Sequence, residues 1–228
     1  MTVPIHRLAP LADPVRRLLE LLRCAPSRRV VLGLVGLPGS GKSTLALWLA
    51  QAVNTQAGAG RMVALGMDGF HLSRATLAGF PDPVAALARR GAPWTFDPLA
   101  LARALRTLRG NDPAEAPSTV YWPGFEHGVG DPVPNAIPVD PSVRLVLVEG
   151  LYLLHRDHGW ALEGLMDECW FLDVDQDLAL QRLAARHQAS WGVTSAQAHA
   201  RVDANDRLNA GIVLQTRERA HWLVRAEP

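Results

Sequence analysis

Apolar residues occur in short continuous runs along this chain, and between the runs they recur at the spacing of an α-helix. The runs lie at 28–36, 61–70, 143–150, 169–175 and 220–226. A continuous apolar run is typical of a strand that is buried on both faces of a sheet. Because these runs alternate with helical segments, they predict an α/β fold, a doubly wound sheet of five parallel strands with helices on both faces.

Six segments have the periodicity or the starting residues of helices. They lie at 13–24, 41–54, 82–90, 97–109, 176–189 and 195–218. The segment 97–109 is the plainest, because Leu101, Leu105 and Leu108 share one face. Arg103 and Arg106 lie on the opposite face, so this helix is expected to pack on the sheet by its leucines.

The stretch from 110 to 141 interrupts the alternation of strands and helices. It contains seven prolines and has little periodicity, which argues against a long helix or a central strand. We therefore predict an insertion here, with one short strand at 119–122.

The amino-acid composition of the chain limits the classes of function that it can have. The 228 residues include 23 Lys and Arg against 22 Asp and Glu, a net charge of +1. This balance argues against a general nucleic-acid or membrane-surface binder, which needs a basic excess on one face. Two distant cysteines outside any CxxC motif and an N-terminus without an apolar core favour the cytoplasm over secretion. No apolar run approaches the roughly 18 residues of a membrane-spanning helix.

A glycine-rich stretch follows the first apolar run directly. Residues 36–43 satisfy the pattern G-x-x-x-x-G-K-[ST], between a predicted strand and a predicted helix. In this setting glycines turn backbone N–H groups toward phosphate oxygens, and the helix adds the positive end of its dipole. We expect Lys42 to reach the β- and γ-phosphates and the Ser43 hydroxyl to bind Mg²⁺. The nucleotide-binding residues predicted here are Gly36, Pro38, Gly39, Ser40, Gly41, Lys42, Ser43 and Thr44.

Lys42 is the only lysine of the chain, and every other Lys or Arg position is arginine. A compact ammonium on a flexible stem suits the inside of a phosphate loop, where a planar guanidinium is bulkier and prefers forked contacts. Guanine-specific switches read their base through an N/T-K-x-D motif, which needs a second lysine. The composition therefore argues against a Ras-like GTPase.

Two acids end buried strands at the edge where ligands of parallel sheets bind. Asp68 follows the second apolar run, and Glu149 lies at the end of the third. One carboxylate at this edge can hold water ligands of Mg²⁺, and another can accept a proton from an attacking hydroxyl. Asp173 and Asp175, at the end of the fourth run, are expected only to cap turns or helices.

Five motifs occur in one order along the chain: "GLPGSGKST", "MDGFHL" at 67–72, "RRGAPWTFD" at 89–97, "VEGLYLL" at 148–154 and "RLAARH" at 182–187. Together they resemble the P-loop kinases of small alcohols, which include uridine kinase, phosphoribulokinase, bacterial pantothenate kinase and a bacterial branch of nucleoside or fructose-transport kinases. The resemblance runs from about Val30 to Leu214. It implies a P-loop NTPase fold and a kinase that uses ATP and Mg²⁺ to phosphorylate a hydroxyl of a sugar, nucleoside or related alcohol.

The resemblance also implies roles for individual residues. Asp68 would act as the general base on the acceptor hydroxyl and lie near Mg²⁺, where Ser43 and Glu149 would also serve the metal. Arg182 and Arg186, one helical turn apart, would close on the phosphates as a lid. The catalytic residues that it implies are Asp68, Lys42 and Arg186.

The whole chain would then be a single kinase domain. We divide it into an N-terminal helix at 1–27, an acceptor-binding insertion at 71–141 and a lid region at 180–206. The only partner expected is the small hydroxyl acceptor, with no nucleic acid and no membrane. Monomer and homodimer both stay open.

The acceptor side matches the family less closely. Asp97 falls where uridine kinase holds sugar hydroxyls, and Tyr121 and His127 fall where that enzyme has acceptor-site residues. Uridine kinases have tyrosine in place of His71, and the bacterial branch reads "EGNY" around the position of Leu151. The identity of the acceptor is therefore left open. The acceptor-binding residues expected are His71, Arg90, Trp94, Asp97, Tyr121 and His127.

Two other functions stay open at this stage. The departures from the family fit an ATP-binding regulatory protein with a decayed acceptor site, although such a protein has no need to keep Asp68. A nucleoside monophosphate kinase would need cations for the acceptor phosphate, which Arg89 and Arg90 could supply. The response of ADP release to phosphorylated and unphosphorylated acceptors separates these readings.

Overall fold

Five parallel strands form the central sheet of the computed structural model, which describes residues 10–110, 118–126 and 130–225. The sheet has the strand order β2-β5-β1-β6-β7, which confirms the predicted five-stranded parallel sheet. The strands in these ranges are β1 (Val30–Gly36), β2 (Met62–Gly66), β3 (Val120–Glu126), β4 (Asp131–Val139), β5 (Leu145–Gly150), β6 (Glu168–Leu172) and β7 (Trp222–Val224).

The α-helices lie between the strands and after them. Three of them, α1, α4 and α5, begin at an aspartate that is followed by proline. Asp13, Asp82 and Asp97 each accept the backbone N–H three residues further on, and proline suits the first helical turn. No helix in the described part of the chain is both long and apolar enough to cross a membrane. The helices are α1 (Pro14–Cys24), α2 (Lys42–Ala57), α3 (Arg74–Ala78), α4 (Pro83–Ala88), α5 (Pro98–Arg109), α6 (Gln176–Trp191), α7 (Ser195–Arg201) and α8 (Arg207–Leu214).

The two faces of the sheet are covered by different helices. Every residue of β1 is buried, as its continuous apolar run predicts. Leu32 and Leu34 lie in the apolar cluster that includes α1 and α2, whereas Val31 and Val35 lie in the cluster that includes α5 and α6. Because both faces are covered, the strand ends are the part of the sheet that a ligand can reach.

The insertion contains a hairpin outside the central sheet. β3 and β4 pair in antiparallel fashion, so the predicted single strand at 119–122 is too short and lacks its partner. The prolines explain the difference, because a two-stranded ribbon has two open edges, where proline is tolerated. Pro132 pairs with Phe125 and Pro138 pairs with Tyr121.

The hairpin is anchored beside the end of β2. The fully buried Trp122 donates its Nε1–H to the carbonyl oxygen of Gly66 at 2.9 Å. A Cβ at Gly69 would collide with the carbonyl oxygen of Pro123, so the hairpin lies directly on the short 3₁₀ turn after β2. That turn carries Asp68, and the hairpin therefore forms one side of the space around it.

The helix predicted over 195–218 is present for most of its length, but it is not one regular α-helix. A π-helical turn at Val202–Asp206 joins α7 to α8. Such turns are rare and frequently occur at functional sites. Here the turn and the start of α8 bring two buried asparagines, Asn205 and Asn209, to the edge of the cleft described below.

Candidate active site

The phosphate loop joins β1 to α2 at the carboxyl edge of the sheet. Gly39 and Gly41 have φ angles of 78° and 88°, which favour glycine, and Gly41 is the N-cap of α2. A Cβ at Gly39 would collide with the carbonyl oxygen of Ala179 and lie 2.9 Å from Cβ of Leu183. Because both of these residues belong to α6, that helix packs directly on the loop and holds its shape.

The two strand-end acids meet the loop in one electrostatic cluster. Glu149, on β5, accepts a hydrogen bond of 2.8 Å at Oε1 from the Ser43 hydroxyl. Burial raises the pKa of Glu149, Lys42 opposes that rise, and the charge of Asp68 adds to it. The Ser43 hydrogen bond and the charge of Arg186 also favour the ionised carboxylate. The lysine, the hydroxyl and the two carboxylates therefore form one group whose members interact electrostatically.

The turn that carries Asp68 is tied to a pair of aromatic rings. The carbonyl oxygen of Asp68 accepts the backbone N–H of His71 at 3.1 Å and its Nδ1–H at 2.8 Å. The imidazole ring lies 3.9 Å from the ring of Phe96 and 4.7 Å from that of Phe125, measured between centroids. Contacts with these two tilted rings and the hydrogen bonds to Asp68 hold His71, and through it the turn, in a defined position.

These elements surround a cleft of about 610 Å³, a size typical of small-molecule sites. The phosphate loop and the strand-end acids open into this one space, so the structure brings together the two parts of the site that the sequence predicts. The predicted site residues that line the cleft are Pro38, Gly39, Lys42, Ser43, Asp68, His71, Arg90, Glu149 and Arg186.

Some residues predicted for the nucleotide side do not line the cleft. Arg182 is exposed on α6, one turn before Arg186, and only Arg186 of this expected lid pair reaches the cleft. The remaining loop residues contribute to the shape of the loop or to the first turn of α2 without lining the cleft, namely Gly36, Ser40, Gly41 and Thr44.

Three residues predicted for the acceptor side also lie outside the cleft lining. Asp97 is engaged as the cap of α5, where its Oδ1 accepts a backbone N–H at 2.8 Å. Tyr121 is 57% exposed on β3, and the half-buried Trp94 stacks near Phe80 with centroids 6.2 Å apart. Their contacts therefore do not support an acceptor role, which stays a prediction. His127 lies outside the described residues.

The two acids that follow β6 make different contacts in the structure. Asp175 caps α6 by accepting a backbone N–H at 2.9 Å, as expected. Asp173 is not a cap, because it forms a two-point ion pair with Arg217 at 3.0 Å. This pair lowers the pKa of Asp173, and neither acid lines the cleft.

The buried asparagines have a partner that the sequence does not reveal. Arg89 donates from Nη1 to Oδ1 of Asn205 at 2.6 Å and from Nη2 to Oδ1 of Asn209 at 3.1 Å. Asn205 donates from Nδ2 to the carbonyl oxygen of Arg90 at 3.1 Å. We call Arg89, Asn205 and Asn209 the arginine clamp, because they join the loop after α4 to the π-helical turn. The signal in the sequence is the stretch "NDRLNA" at 205–210, which matches a pattern of the resembling family without indicating a role for the asparagines.

Arg90 lines the cleft, but its guanidinium is engaged. Nη2 donates to Oδ1 of Asp131 at 2.7 Å and to the carbonyl oxygen of Leu72 at 3.0 Å, and Nη1 donates to that of Gly130. Burial lowers the pKa of Arg90, and Asp131 opposes this. Arg89 and Arg90, the pair that the sequence offers to an acceptor phosphate, are thus both bound within the protein.

The cleft also contains residues to which the sequence assigns no role. Nε2 of His187 lies 3.2 Å from Oδ2 of Asp206, and the imidazole stacks on Trp191 with centroids 4.2 Å apart. This group connects the end of α6 to the π-helical turn. The other lining residues to which the sequence assigns no role include Arg74, Leu87, Phe96, Phe125, Leu183 and Arg201.

Known proteins resemble the chain over most of its length, although no family model matches it. An ATP-dependent kinase-like protein of Aspergillus versicolor is 43% identical over 153 residues, which cover 66% of this chain and 88% of that protein. A protein of Schizosaccharomyces pombe, provisionally named as a uridine kinase, is 39% identical over 199 residues, 86% of this chain and 82% of that protein.

Solved structures share the fold. A structure from Silicibacter sp. TM1040, provisionally named as a fructose transport system kinase, has a TM-score of 0.80 and 31% identity, and the match covers 93% of this chain and 97% of that one. YFH7 from Saccharomyces cerevisiae, a P-loop protein with a circular permutation, also has a TM-score of 0.80, over 94% of this chain and 98% of that one. Its identity of 23% shows the fold alone.

Proposed function

Because the chain belongs to the uridine kinase-like P-loop kinases, we propose that it transfers the γ-phosphoryl group of ATP to a hydroxyl of a small metabolite. The observation that carries this proposal is that Lys42 and Ser43 open into the same cleft as Asp68 and Glu149. Binding ATP needs the phosphate loop, whereas transfer to an alcohol also needs a group that takes up the hydroxyl proton.

We assign the binding of the ATP phosphates to the loop and to two cations. The backbone N–H groups of the loop and the N-terminus of α2 stabilise phosphate oxygens. Lys42 is the first residue of α2, and Arg186 lines the cleft from α6. Both can offset the negative charge that develops during transfer.

The residues present also fit Mg²⁺, which prefers oxygen ligands and keeps several waters and phosphate oxygens. The Ser43 hydroxyl and Glu149 Oε1 are 2.8 Å apart, and the charge of Asp68 acts on Glu149. These three side chains supply one hydroxyl and two carboxylates, and they would hold the ion or its waters. When bound, Mg²⁺ would neutralise part of the phosphate charge.

We assign Asp68 as the group that takes up the proton of the acceptor hydroxyl. The O–H bond of the acceptor breaks, its proton passes to the Asp68 carboxylate, and the oxygen forms a bond to the γ-phosphorus. The bond from the γ-phosphorus to the bridging oxygen breaks, and ADP leaves with that electron pair. The hairpin and His71, which is packed against two phenylalanine rings, keep the turn of Asp68 in place during this step.

The division of the chain is kept as part of the proposal. The segment 71–141 would bind the acceptor, and we call its portion from α3 to Phe96, together with the hairpin, the acceptor wall. The region 180–206, which includes the end of α6 and all of α7, would form the lid. The segment 1–27 would be an N-terminal addition, in which α1 packs on one face of the sheet.

The names of the relatives do not agree on an acceptor. The fission yeast relative is named for uridine, and the bacterial structure is named for fructose transport. Both names refer to small molecules with several hydroxyl groups. The proposal at this level is therefore a small alcohol of the sugar or nucleoside kind.

The proposal is tested by ADP release from ATP and Mg²⁺ with a panel of nucleosides, pantothenate, glycerate, fructose and pentose phosphates. We expect an acceptor to stimulate release, and we expect Asp68→Asn to lower the stimulated rate by about 10²–10⁴-fold. Asp157→Asn, at an exposed acid outside the cleft lining, is the matched control. An unchanged rate in Asp68→Asn would make the base assignment wrong. ATP binding without stimulation by any acceptor would favour the regulatory protein.

A further inference from the structure

Two arginines of the cleft have no acidic partner. Arg74 is the first residue of α3 and Arg201 is the last residue of α7, and both line the cleft. In the part of the chain that the structure describes, neither forms an ion pair, whereas Arg90 is paired with Asp131. A guanidinium stays charged at physiological pH and binds carboxylates and phosphates through two parallel hydrogen bonds.

Arg74 is attached to the acceptor wall. Its backbone N–H donates to Oδ1 of Asp131 at 2.9 Å, next to the start of β4. Its guanidinium lies against Gly130, where a Cβ would come within 2.7 Å of Nη2. The hairpin therefore supports this side chain at the end of the cleft that faces the acceptor.

Arg201 contacts the same wall from α7. Its Nη1 donates to the carbonyl oxygen of Ala88, the last residue of α4, at 3.0 Å. The arginine clamp fixes the loop that follows Ala88, so the end of α7 is held beside the acceptor wall. The other N–H groups of the Arg201 guanidinium have no partner among the residues that the structure describes.

The contacts described above for these two cations are with the acceptor wall and not with the phosphate loop. Arg186 belongs to α6, which packs on the phosphate loop at Gly39, and Lys42 begins the helix after the loop. Arg74 and Arg201 are attached to the acceptor wall instead. The cleft lining has five cations and three acids, and one of those cations, Arg90, is already paired with Asp131 outside the lining. The cations are Lys42, Arg74, Arg90, Arg186 and Arg201, and the acids are Asp68, Glu149 and Asp206.

We infer that the acceptor carries an anionic group, a carboxylate or a phosphate, in addition to the hydroxyl that is phosphorylated, and that Arg74 and Arg201 bind this anion. This inference rests on the proposed function and narrows its acceptor from small alcohols in general to acidic ones. A neutral alcohol would leave both guanidiniums without a counter-charge, whereas a carboxylate or a phosphate would pair with them through parallel hydrogen bonds.

The first test compares matched acceptors in the ADP-release assay. The pairs are glycerate with glycerol, pantothenate with pantothenol, a pentose 5-phosphate with the pentose, and a nucleoside 5′-monophosphate with the nucleoside. We expect the anionic member of the productive pair to have a kcat/KM at least about tenfold higher than its neutral parent. Whether the anionic member of the productive pair is a carboxylate or a phosphate then identifies the anion that the site binds. Equal or better use of the neutral parents overturns the inference but leaves the kinase proposal intact.

The second test removes the two charges one at a time. Arg74→Gln and Arg201→Gln should each lower kcat/KM for the anionic acceptor by about 10- to 100-fold. The KM for ATP should change by less than about twofold, and Lys in place of either arginine should recover part of the loss. Arg103→Gln, on the exposed face of α5, is the matched control. An equal loss with the neutral parent would show that the arginines do not recognise the anion.

A third measurement does not depend on turnover. With the nucleotide end filled by Mg²⁺ and a non-hydrolysable ATP analogue, inorganic phosphate should still raise the Tm of the protein and of Arg103→Gln. It should not raise the Tm of the double variant Arg74→Gln/Arg201→Gln. Phosphate without effect on the unaltered protein overturns the inference, whether or not an acceptor has been found. Phosphate binding without turnover of any acceptor would instead count against the proposed function alone.

Discussion

The nucleotide end and the acceptor end of the cleft are built in different ways. The nucleotide end is one continuous stretch, residues 36–43, whose backbone forms the binding surface between β1 and α2. The acceptor end is assembled from side chains of separate segments, among them His71, Arg74, Phe125 and Arg201. Backbone N–H groups serve any nucleotide with the same phosphates, whereas side chains can be exchanged singly. Under the proposed function, reaction type and acceptor choice would thus be carried by different parts of the molecule.

The two ends also differ in the contacts that hold them in place. Contact with α6 fixes the loop at Gly39, where no side chain fits. Hydrogen bonds between distant segments hold the acceptor wall, above all those of the arginine clamp. We therefore expect substitutions at the nucleotide end to abolish turnover and those at the acceptor end to change stability and acceptor affinity.

The largest effect is expected at the lysine of the loop. Lys42→Met should lower kcat by at least about 10²–10³-fold, because it removes a charge that stabilises the transferred phosphoryl group. Lys42→Arg should lose nearly as much although it keeps the charge, since the guanidinium is bulkier. Both are measured by ADP release at saturating acceptor, with Arg103→Met as the control. A wild-type rate in Lys42→Arg would show that the position does not require lysine.

The next effect is expected at the arginine clamp. Arg89→Met leaves Oδ1 of the buried Asn205 and Asn209 without their donor, which should lower the free energy of unfolding by about 2–4 kcal/mol. The KM for the acceptor should rise severalfold while the KM for ATP stays within about twofold. Urea unfolding and steady-state kinetics measure the two changes, with Arg106→Met on the exposed face of α5 as the control. An equal rise in both KM values would contradict the separation of the two ends.

A smaller effect is expected at Glu149, where the two ends meet. Burial raises the pKa of this carboxyl above its ordinary 4.5, so the folded protein keeps a proton that the unfolded chain releases. The free energy of unfolding of the metal-free protein should therefore fall as pH rises from 4.5 through the raised pKa.

The variant Glu149→Gln tests this pH dependence. It removes the ionisable group, so its Tm at neutral pH should exceed that of the unaltered protein by roughly 2–4 °C. Thermal unfolding over a pH series with EDTA measures the difference, which should shrink toward pH 4.5. A variant whose stability depends on pH as steeply as that of the unaltered protein would contradict the role of Glu149.

The smallest effects are expected at residues that the motifs indicate but that lie outside the cleft lining. Tyr121 is exposed on β3 and Arg182 is exposed on α6. Tyr121→Phe and Arg182→Gln should each change kcat/KM by less than about twofold, in contrast to Arg74→Gln. A loss of tenfold or more in either variant would extend the site beyond the cleft.

Much of the fold follows from local patterns. Continuous apolar runs predict the strands, and an aspartate followed by proline marks the starts of α1, α4 and α5. The hairpin is under-predicted, because its prolines hide the alternation of a strand and its support comes from Trp122 and the turn after β2. That support is a contact between distant segments, which no window of sequence contains.

The sequence by itself determined the nucleotide end, because the loop and its lysine are consecutive residues whose backbone makes the site. It also placed Asp68 and Glu149 at one edge, since parallel strands end together. Only the tertiary structure decided the proposed acceptor end, where it brought Arg74 and Arg201 into the cleft. The physical reason is that side chains from separate segments become neighbours only when the chain has folded.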